Sequence, residues 1–165
     1  MANKSIQANE QWQFYQEYHD SSYIISHDNR NEVVLMEPKQ RKSRYKLINE
    51  NNIEIVVYRV DGGIITSQEE SKCDFAIYSK QKLLILVELK GGDYKHALEQ
   101  LLNTIKLLFF KPEVKVQQLN ARVVLSKLRV PNIQISEEKQ LIKLLKTKYG
   151  NGNFDKKTQY FEERI

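Results

Sequence analysis

Residues 72–101, KCDFAIYSKQKLLILVELKGGDYKHALEQL, decide the fold of this chain. Within them, residues 83–87 form an unbroken apolar run, which is typical of a strand covered on both faces. Such a strand is not expected to end in charged residues, yet Glu88 and Lys90 follow directly. Because side chains alternate along a strand, both charged groups project from the same face, close to the end of the strand.

A second short apolar run, residues 75–78, precedes the first and begins just after Asp74. The two runs and the polar connection between them predict an antiparallel hairpin with residues 80–82 as its loop. Asp74 shares a face with Glu88 only if the register places the two residues opposite each other or displaced by an even number. We predict that register.

Two carboxylates and one ammonium on one face, at the edge of a core, form a hard-oxygen site for a divalent cation with a positive charge beside it. Mg²⁺ in such a site keeps positions open for phosphate oxygens and lowers the pKa of a bound water, as phosphoryl chemistry requires. The structural alternative is a simple salt bridge between Lys90 and Glu88 or Asp74 that anchors the sheet end. Ion pairs of that kind are common and contribute little.

The spacing of Asp74, thirteen residues and then Glu88-Leu89-Lys90 resembles the Asp…(Asp/Glu)-x-Lys signature of the PD-(D/E)xK nuclease superfamily. Gln100, in the helix expected to follow, is similar to a glutamine that several nuclease subfamilies place after their lysine. The Pro often found before the aspartate is replaced here by Cys73. The resemblance implies an α/β fold with a mixed central β-sheet flanked by helices, the restriction-endonuclease-like αβββαβ core.

The resemblance also implies roles for individual residues. Asp74 and Glu88 would hold Mg²⁺ or Mn²⁺, with the main-chain carbonyl of Leu89 as a further ligand. Lys90 would position or deprotonate the attacking water, and Gln100 would support it. The expected activity is endonucleolytic hydrolysis of phosphodiester bonds, with DNA favoured over RNA as the nucleic-acid partner.

Three other acidic residues are candidates for an additional metal ligand. Superfamily members often carry one on a first helix, which makes Glu17 or Asp20 the candidates if the N-terminal segment forms that helix. Asp61 is the third, if the sheet brings it near Asp74. The alternative for Asp61 is a structural role in a tight turn with Gly62 and Gly63.

Two alternatives to a DNA nuclease stay open. The same fold can serve as a catalytically inactive nucleic-acid-binding or protein-interaction module, and an RNA-directed toxin or defence effector would differ only in its substrate. A symmetric homodimer is a further option, because cutting both strands of a duplex commonly requires two active sites.

Composition sets the outer limits. With 165 residues, of which 41% are hydrophobic and 28% charged, the chain is expected to form one domain over residues 1–165. The net charge of +5 suits a polyanionic partner, although many proteins without such a partner match it. The single cysteine excludes a disulfide framework and a cysteine-based zinc site.

No apolar stretch approaches the roughly 20 residues of a membrane span, and the Asn- and Gln-rich start is untypical of a signal peptide. We therefore expect a cytoplasmic protein with no membrane association.

Patterns outside the central stretch predict the remaining elements. Residues 1–31 are expected to pack on the core through a helix face of Trp12, Tyr15 and Tyr18, with a turn at residues 27–31. Strands are expected at residues 33–36, 44–48, 53–60, 64–66, 121–126 and 158–165. Asp93 and Ser136 are expected to cap two helices, and the strand after the first of them should run parallel to its neighbour.

Overall fold

The structure is a computed structural model that describes residues 13–37, 39, 42–127 and 134–165. Its elements follow the chain in the order α1 (Gln13–Glu17), β1 (Ile24–Asp28), β2 (Glu32–Met36), β3 (Arg44–Ile48), β4 (Ile55–Arg59), β5 (Phe75–Ser79), β6 (Leu83–Lys90), α2 (Tyr94–Leu108), β7 (Gln118–Leu125), α3 (Ser136–Lys148), β8 (Phe154–Thr158) and β9 (Tyr160–Arg164). The protein is therefore a mixed α/β structure.

The larger of two sheets has six strands in the order β1-β4-β5-β6-β7-β8. Strands β1, β4, β5 and β6 pair antiparallel, whereas β6, β7 and β8 pair parallel, so the sheet is mixed as predicted. The hairpin of β5 and β6 has residues 80–82 as its loop. Strand β7, which follows α2, pairs parallel to β6. The predicted parallel strand after the first capped helix is therefore also confirmed.

A smaller sheet of three strands, in the order β2-β3-β9, covers one face of the larger one. The described helices α1, α2 and α3 cover the opposite face, since their buried apolar side chains belong to that side of the core. The predicted mixed sheet with helices packed on it is confirmed at this level, and the small sheet on the opposite face was not predicted. Strand β9 pairs parallel to β3 from the far end of the chain, and no local pattern shows such a partner.

The N-terminal helix packs through a different residue from those predicted. Phe14 is fully buried, with its ring centroid 5.8 Å from that of Tyr58 and 5.3 Å from that of Tyr78. Tyr15 and Tyr18 are only partly buried against the same cluster, and Trp12 lies outside the described residues. The prediction that the aromatic segment packs on the core is confirmed for its described part, and Phe14, which lies outside the predicted set, is its most deeply buried residue.

The strand expected at residues 64–66 is absent. The chain folds back tightly here, with the N–H groups of Ile64 and Ile65 donating to the carbonyls of Arg59 and Val60. Gly62 has a φ of 68°, and only an isolated bridge joins Asp61 to Ile65. The predicted turn at Asp61 is confirmed, and its hydrogen bonds leave no room for a strand directly after it.

The two predicted helix caps differ in outcome. Asp93 caps α2 as expected, since its side chain accepts a hydrogen bond from the His96 N–H at 3.0 Å. The Ser136 cap is wrong, because Ile135 is the capping residue of α3 and makes no side-chain bond. Ser136 is already helical, and its hydroxyl contacts the Glu137 carboxylate.

Two edge strands of the larger sheet, β1 and β8, have no counterpart among the predicted elements. Both alternate between exposed and partly buried positions and contain charged residues, so their patterns are weak. Among the described residues, no helix combines the length and apolar character needed to cross a membrane.

Candidate functional site

The register of the central hairpin decides whether the three candidate side chains meet. Phe75 pairs with Val87, and one further step in that register sets Asp74 opposite Glu88. Directly opposite residues of an antiparallel pair have Cβ atoms about 4.5–5.5 Å apart. The predicted register is therefore confirmed.

All three side chains also project toward the helices. Leu84 and Leu86 belong to the helix side of the core, and alternation along β6 places Glu88 and Lys90 on that same face. Asp74 lies opposite Glu88 in the hairpin register and so shares its face. The prediction of a common face is confirmed for the two acids and the lysine.

Main-chain hydrogen bonds fix the two carboxylates. The N–H of Asp74 donates to Oε2 of Glu88 at 3.1 Å, and the N–H of Leu89 donates to Oδ2 of Asp74 at 2.8 Å. The Asp74 carbonyl in turn accepts from the N–H of Val60 at 2.9 Å, which ties it to β4. At the start of β5 the two carboxylates therefore accept main-chain N–H groups that would otherwise bond to carbonyls of a neighbouring strand.

The direction of the Leu89 main chain bears on its predicted role. Its N–H points toward β5, because it reaches the Asp74 carboxylate. The N–H and C=O of one strand residue point to the same side, so the Leu89 carbonyl faces Asp74 as well. The next carbonyl, that of Lys90, points the other way and accepts from Ser126 at 2.9 Å. The Leu89 oxygen is therefore on the correct side to join the two carboxylates.

Burial makes both carboxyl groups weaker acids than usual. Glu88 is only 1% exposed. Its burial, reinforced by the negative charge of Asp74, raises its pKa well above the ordinary value. Burial likewise raises the pKa of Asp74, from 3.8 to about 6. Desolvated carboxylates with like-charged neighbours are a recurrent property of functional sites.

Lys90 is half-buried and makes no ion pair with either carboxylate among the described residues. Its charge nevertheless lowers the pKa of both Asp74 and Glu88, although in each case burial outweighs it. The ammonium is therefore near the acids without contacting them. A closed salt bridge, the structural alternative, is not what the structure contains.

Gln100 reaches the segment that leads into Asp74 and not the carboxylates. Its Nε2 donates to the Lys72 carbonyl at 2.8 Å, while its Oε1 is buried with no hydrogen-bond partner in the described part of the chain. A cavity of about 360 Å³ lies beside it and is also lined by Asp61, Lys72 and His96. Gln100 thus holds the main chain just before Asp74 and β5 in place.

The three candidates for an additional metal ligand differ in their distance from the two carboxylates. Glu17 pairs with Lys111 at 2.6 Å, beyond the C-terminal end of α2, and Asp20 accepts from the Ser22 N–H. Neither lies with the strand acids. Asp61, by contrast, follows directly on Val60, the residue that bonds to Asp74, and its charge contributes to raising the pKa of both Asp74 and Glu88.

One acidic residue near the site was missed. Glu37 follows β2 at the edge of the small sheet, and its charge contributes to the raised pKa of Asp74. The sequence signal is weak: Glu37 continues the alternation of Val33 and Leu35, whose side chains are buried. Finding it required knowing where the small sheet docks.

The surroundings supply positive charge. The site lies at the carboxyl ends of the parallel strands β6 and β7, where ligands commonly bind in α/β sheets. Exposed Lys127 follows β7, and its N–H donates to the carbonyl of Gly91, directly after Lys90. Lys95 and His96 lie in the first turn of α2 at the same sheet edge, and each is near a glutamate.

Comparison with known proteins adds no assignment. Within residues 13–37, 39, 42–127 and 134–165, no three His, Cys, Asp or Glu side chains already form a metal-binding group. No protein-family model matches the sequence, and no curated protein or solved structure matches it either. The interpretation of the site therefore depends on its own geometry.

Proposed function

We propose that this protein is a PD-(D/E)xK-type nuclease that hydrolyses phosphodiester bonds of nucleic acid with the help of Mg²⁺ or Mn²⁺. The observation that carries the proposal is the pairing of Asp74 with Glu88 across the hairpin, on the same face as Lys90. A simple structural ion pair would bring Lys90 into contact with an acid. The ammonium instead remains free of both carboxylates in the described structure.

The donor set fits a hard divalent cation. Asp74 and Glu88 provide carboxylate oxygens, and the Leu89 carbonyl faces the same side. A bound Mg²⁺ or Mn²⁺ would supply Lewis-acid stabilisation of phosphate oxygens and a more acidic water. Because Glu88 is buried and Asp74 partly so, the protein restricts the access of water to the carboxylates.

Lys90 has the position expected of a group that orients the attacking water or stabilises charge on the phosphate. It lies on the same face as Glu88, two residues further along β6, and is partly open to solvent. Lys127, at the end of β7, would contact the nucleic-acid backbone on the same edge of the sheet.

The order of elements around the site supports the choice of family. Antiparallel β4, β5 and β6 are followed by α2 and by β7, which returns parallel to β6. We assign these elements to the restriction-endonuclease-like core, and the small sheet to a part of the protein outside that core. By family analogy we favour DNA over RNA as substrate, with a homodimer as the form that would cut both strands of a duplex.

The test is cleavage of labelled single-stranded, duplex and branched DNA and of RNA, with and without Mn²⁺. We expect metal-dependent products from the wild-type protein. Glu88→Gln and Lys90→Met should each reduce the rate at least about 100-fold. Lys80→Met, in the exposed hairpin loop at the other end of the same strands, is the matched control and should leave the rate unchanged.

A second function is favoured by one observation. Each acid accepts a main-chain N–H from the opposite strand, so both also serve as structural caps of the sheet end. A nucleic-acid-binding or protein-interaction module would keep them for that reason alone. Binding to nucleic acid without metal-dependent products, together with unchanged binding in Lys90→Met, would favour the module over the nuclease.

A further inference from the structure

The C-terminal ends of α2 and α3 lie together at the sheet edge opposite to the proposed cation site. Helix α2 begins at Tyr94, shortly after Lys90, and its 15 residues extend about 22 Å away from that end of β6. Helix α3 runs in the same direction, because both helices join strands that pair parallel, and it ends at Lys148. The connections from α2 to β7 and from α3 to β8 therefore meet at the amino ends of the parallel strands.

A cavity of about 600 Å³ lies between these two connections. Phe109 and Tyr149 form one wall, with ring centroids 4.9 Å apart. Both rings also pack against the core of the protein, which holds them in place. The other lining residues are Pro112, Val114, Lys115, Val116 and Lys148. The cavity thus combines a fixed aromatic wall with two lysines.

The charge around this cavity is positive. Lys115 and Lys148 are exposed, and neither forms an ion pair within the described part of the chain. The described residues that line the cavity include no carboxylate. The acids nearby, Glu17 and Glu113, act instead on Lys111, whose pKa they raise. The cavity therefore suits a ligand that carries an anion next to an aromatic or apolar surface.

Phe110 adds a second aromatic surface beside the cavity. It directly follows Phe109 and is 84% exposed, more than any other large apolar residue of the described chain. Burial of this ring therefore contributes little to folding. Exposed aromatic rings next to lysines are the arrangement that holds single-stranded nucleic acid, because bases stack on the rings and phosphates contact the cations. A duplex keeps its bases stacked on one another and cannot offer them in this way.

We propose that the cavity lined by Phe109, Tyr149, Lys115 and Lys148, together with Phe110, is a second nucleic-acid site that holds a single-stranded part of the substrate. One base would stack on the Phe109 and Tyr149 wall and another on Phe110, with phosphates on the two lysines. The inference rests on the proposed function for the identity of the polymer. It adds the substrate class, a nucleic acid whose single-stranded part extends about 22 Å from the point of cleavage along the helices.

The first test is fluorescence anisotropy of a labelled single-stranded oligothymidylate with the full chain in EDTA, where metal-dependent cleavage cannot occur. Phe110→Ala should weaken binding at least about fivefold, the loss expected from one stacked base. Binding of a duplex of the same length should not respond to this substitution. Ile25→Ala is the matched control, because Ile25 is also exposed, at 47%, but lies on β1 at the far edge of the sheet. Its affinity should equal that of the wild type.

The second test addresses the lysines through the salt dependence of binding. Each phosphate contact that is lost lowers the slope of log K against log salt concentration by about 0.7 for a single strand. Lys148→Met should show this reduction. Lys139→Met is the control, since Lys139 is exposed near the start of the same helix and away from the cavity. Equal reductions in the two variants would indicate general attraction to positive charge and would overturn the inference.

The outcomes separate this inference from the proposed function. If the single strand binds and is cut but Phe110→Ala behaves like Ile25→Ala, only the inference is overturned. A wild type that does not bind the single strand also overturns it. Binding that depends on Phe110 and Lys148, without metal-dependent products, would support the second site and refute the nuclease.

A measurement on the wild-type protein avoids any folding defect of the variants. A single strand in which 5-bromouracil replaces thymine is irradiated in the complex, and the cross-linked peptides are identified by mass spectrometry. We expect cross-links within residues 109–116 or at Tyr149, where the rings and lysines of the cavity lie. Cross-links absent from both segments would overturn the inference.

Discussion

Asp74, directly before β5, lies one step beyond the Phe75–Val87 pair and opposite Glu88 of β6, and its N–H donates to the Glu88 carboxylate at 3.1 Å. Burial and mutual repulsion raise the pKa of the Glu88 carboxyl, and burial raises that of Asp74. The pair is therefore destabilising for the metal-free protein. Positions at which function opposes stability are typical of active sites.

Removing one of the two charges should stabilise the metal-free protein. Asp74→Asn keeps an oxygen that can accept the Leu89 N–H but removes a buried charge. We expect the free energy of unfolding at pH 7 to rise by about 1–2 kcal/mol, since each pKa unit corresponds to about 1.4 kcal/mol and Asp74 is not fully buried. Urea denaturation in EDTA measures it. A loss of stability would contradict the view that this carboxylate is strained.

The advantage of Asp74→Asn should depend on pH. The pKa of Asp74 is about 6 in the folded protein and near 3.8 when unfolded, so the folded state binds more protons between these values. The contribution of the protonated group to stability is complete below about pH 4 and is lost as the pH rises through 6. The difference between variant and wild type should therefore be small at pH 4 and largest above pH 7. A difference independent of pH would contradict the assigned pKa.

The N-terminal helix should matter for the core. Phe14 is fully buried between the helices and the sheet, so Phe14→Ala should reduce the free energy of unfolding by about 3–5 kcal/mol. Phe110→Ala is the control, because Phe110 is 84% exposed and its loss should change stability by less than about 0.5 kcal/mol. Equal effects of the two variants in urea denaturation would show that α1 does not pack as described.

Two glycines in the turn beside Asp61 should respond differently to substitution by alanine. A Cβ at Gly63 would lie 2.2 Å from the Arg59 carbonyl oxygen, whereas at Gly62 nothing lies within 4 Å and only the φ of 68° opposes a side chain. Gly63→Ala should therefore reduce stability by about 2–3 kcal/mol and Gly62→Ala by about 1 kcal/mol. The reverse order in thermal or urea unfolding would mean that the turn has another shape.

The sequence predicted the central hairpin well because its apolar alternation and short loop are local. One register puts Asp74 and Glu88 on the same face, and a slip of one residue would reverse every side chain. The small sheet could not be predicted from the sequence, because β9 pairs with β3 from the other end of the chain. Without that sheet, Glu37 is an ordinary acid after a short strand, and so the sequence could not connect it to the site.

Chain separation also explains the other errors. The deep burial of Phe14, which was not predicted, depends on Tyr58 and Tyr78, which approach it from two distant strands. Glu17 could have reached the site from a longer first helix, but α1 ends at Glu17, and that residue pairs with Lys111. Tertiary packing, rather than local pattern, decides both positions.

The most direct test of the central claim is a crystal structure of the protein grown with Mn²⁺ and recorded at a wavelength where manganese scatters anomalously. We expect an anomalous peak within direct coordination distance of carboxylate oxygens of both Asp74 and Glu88, on the side of the Leu89 carbonyl. A well-ordered site with both carboxylates visible and no peak between them, at millimolar Mn²⁺, would contradict the claim that they hold a cation together.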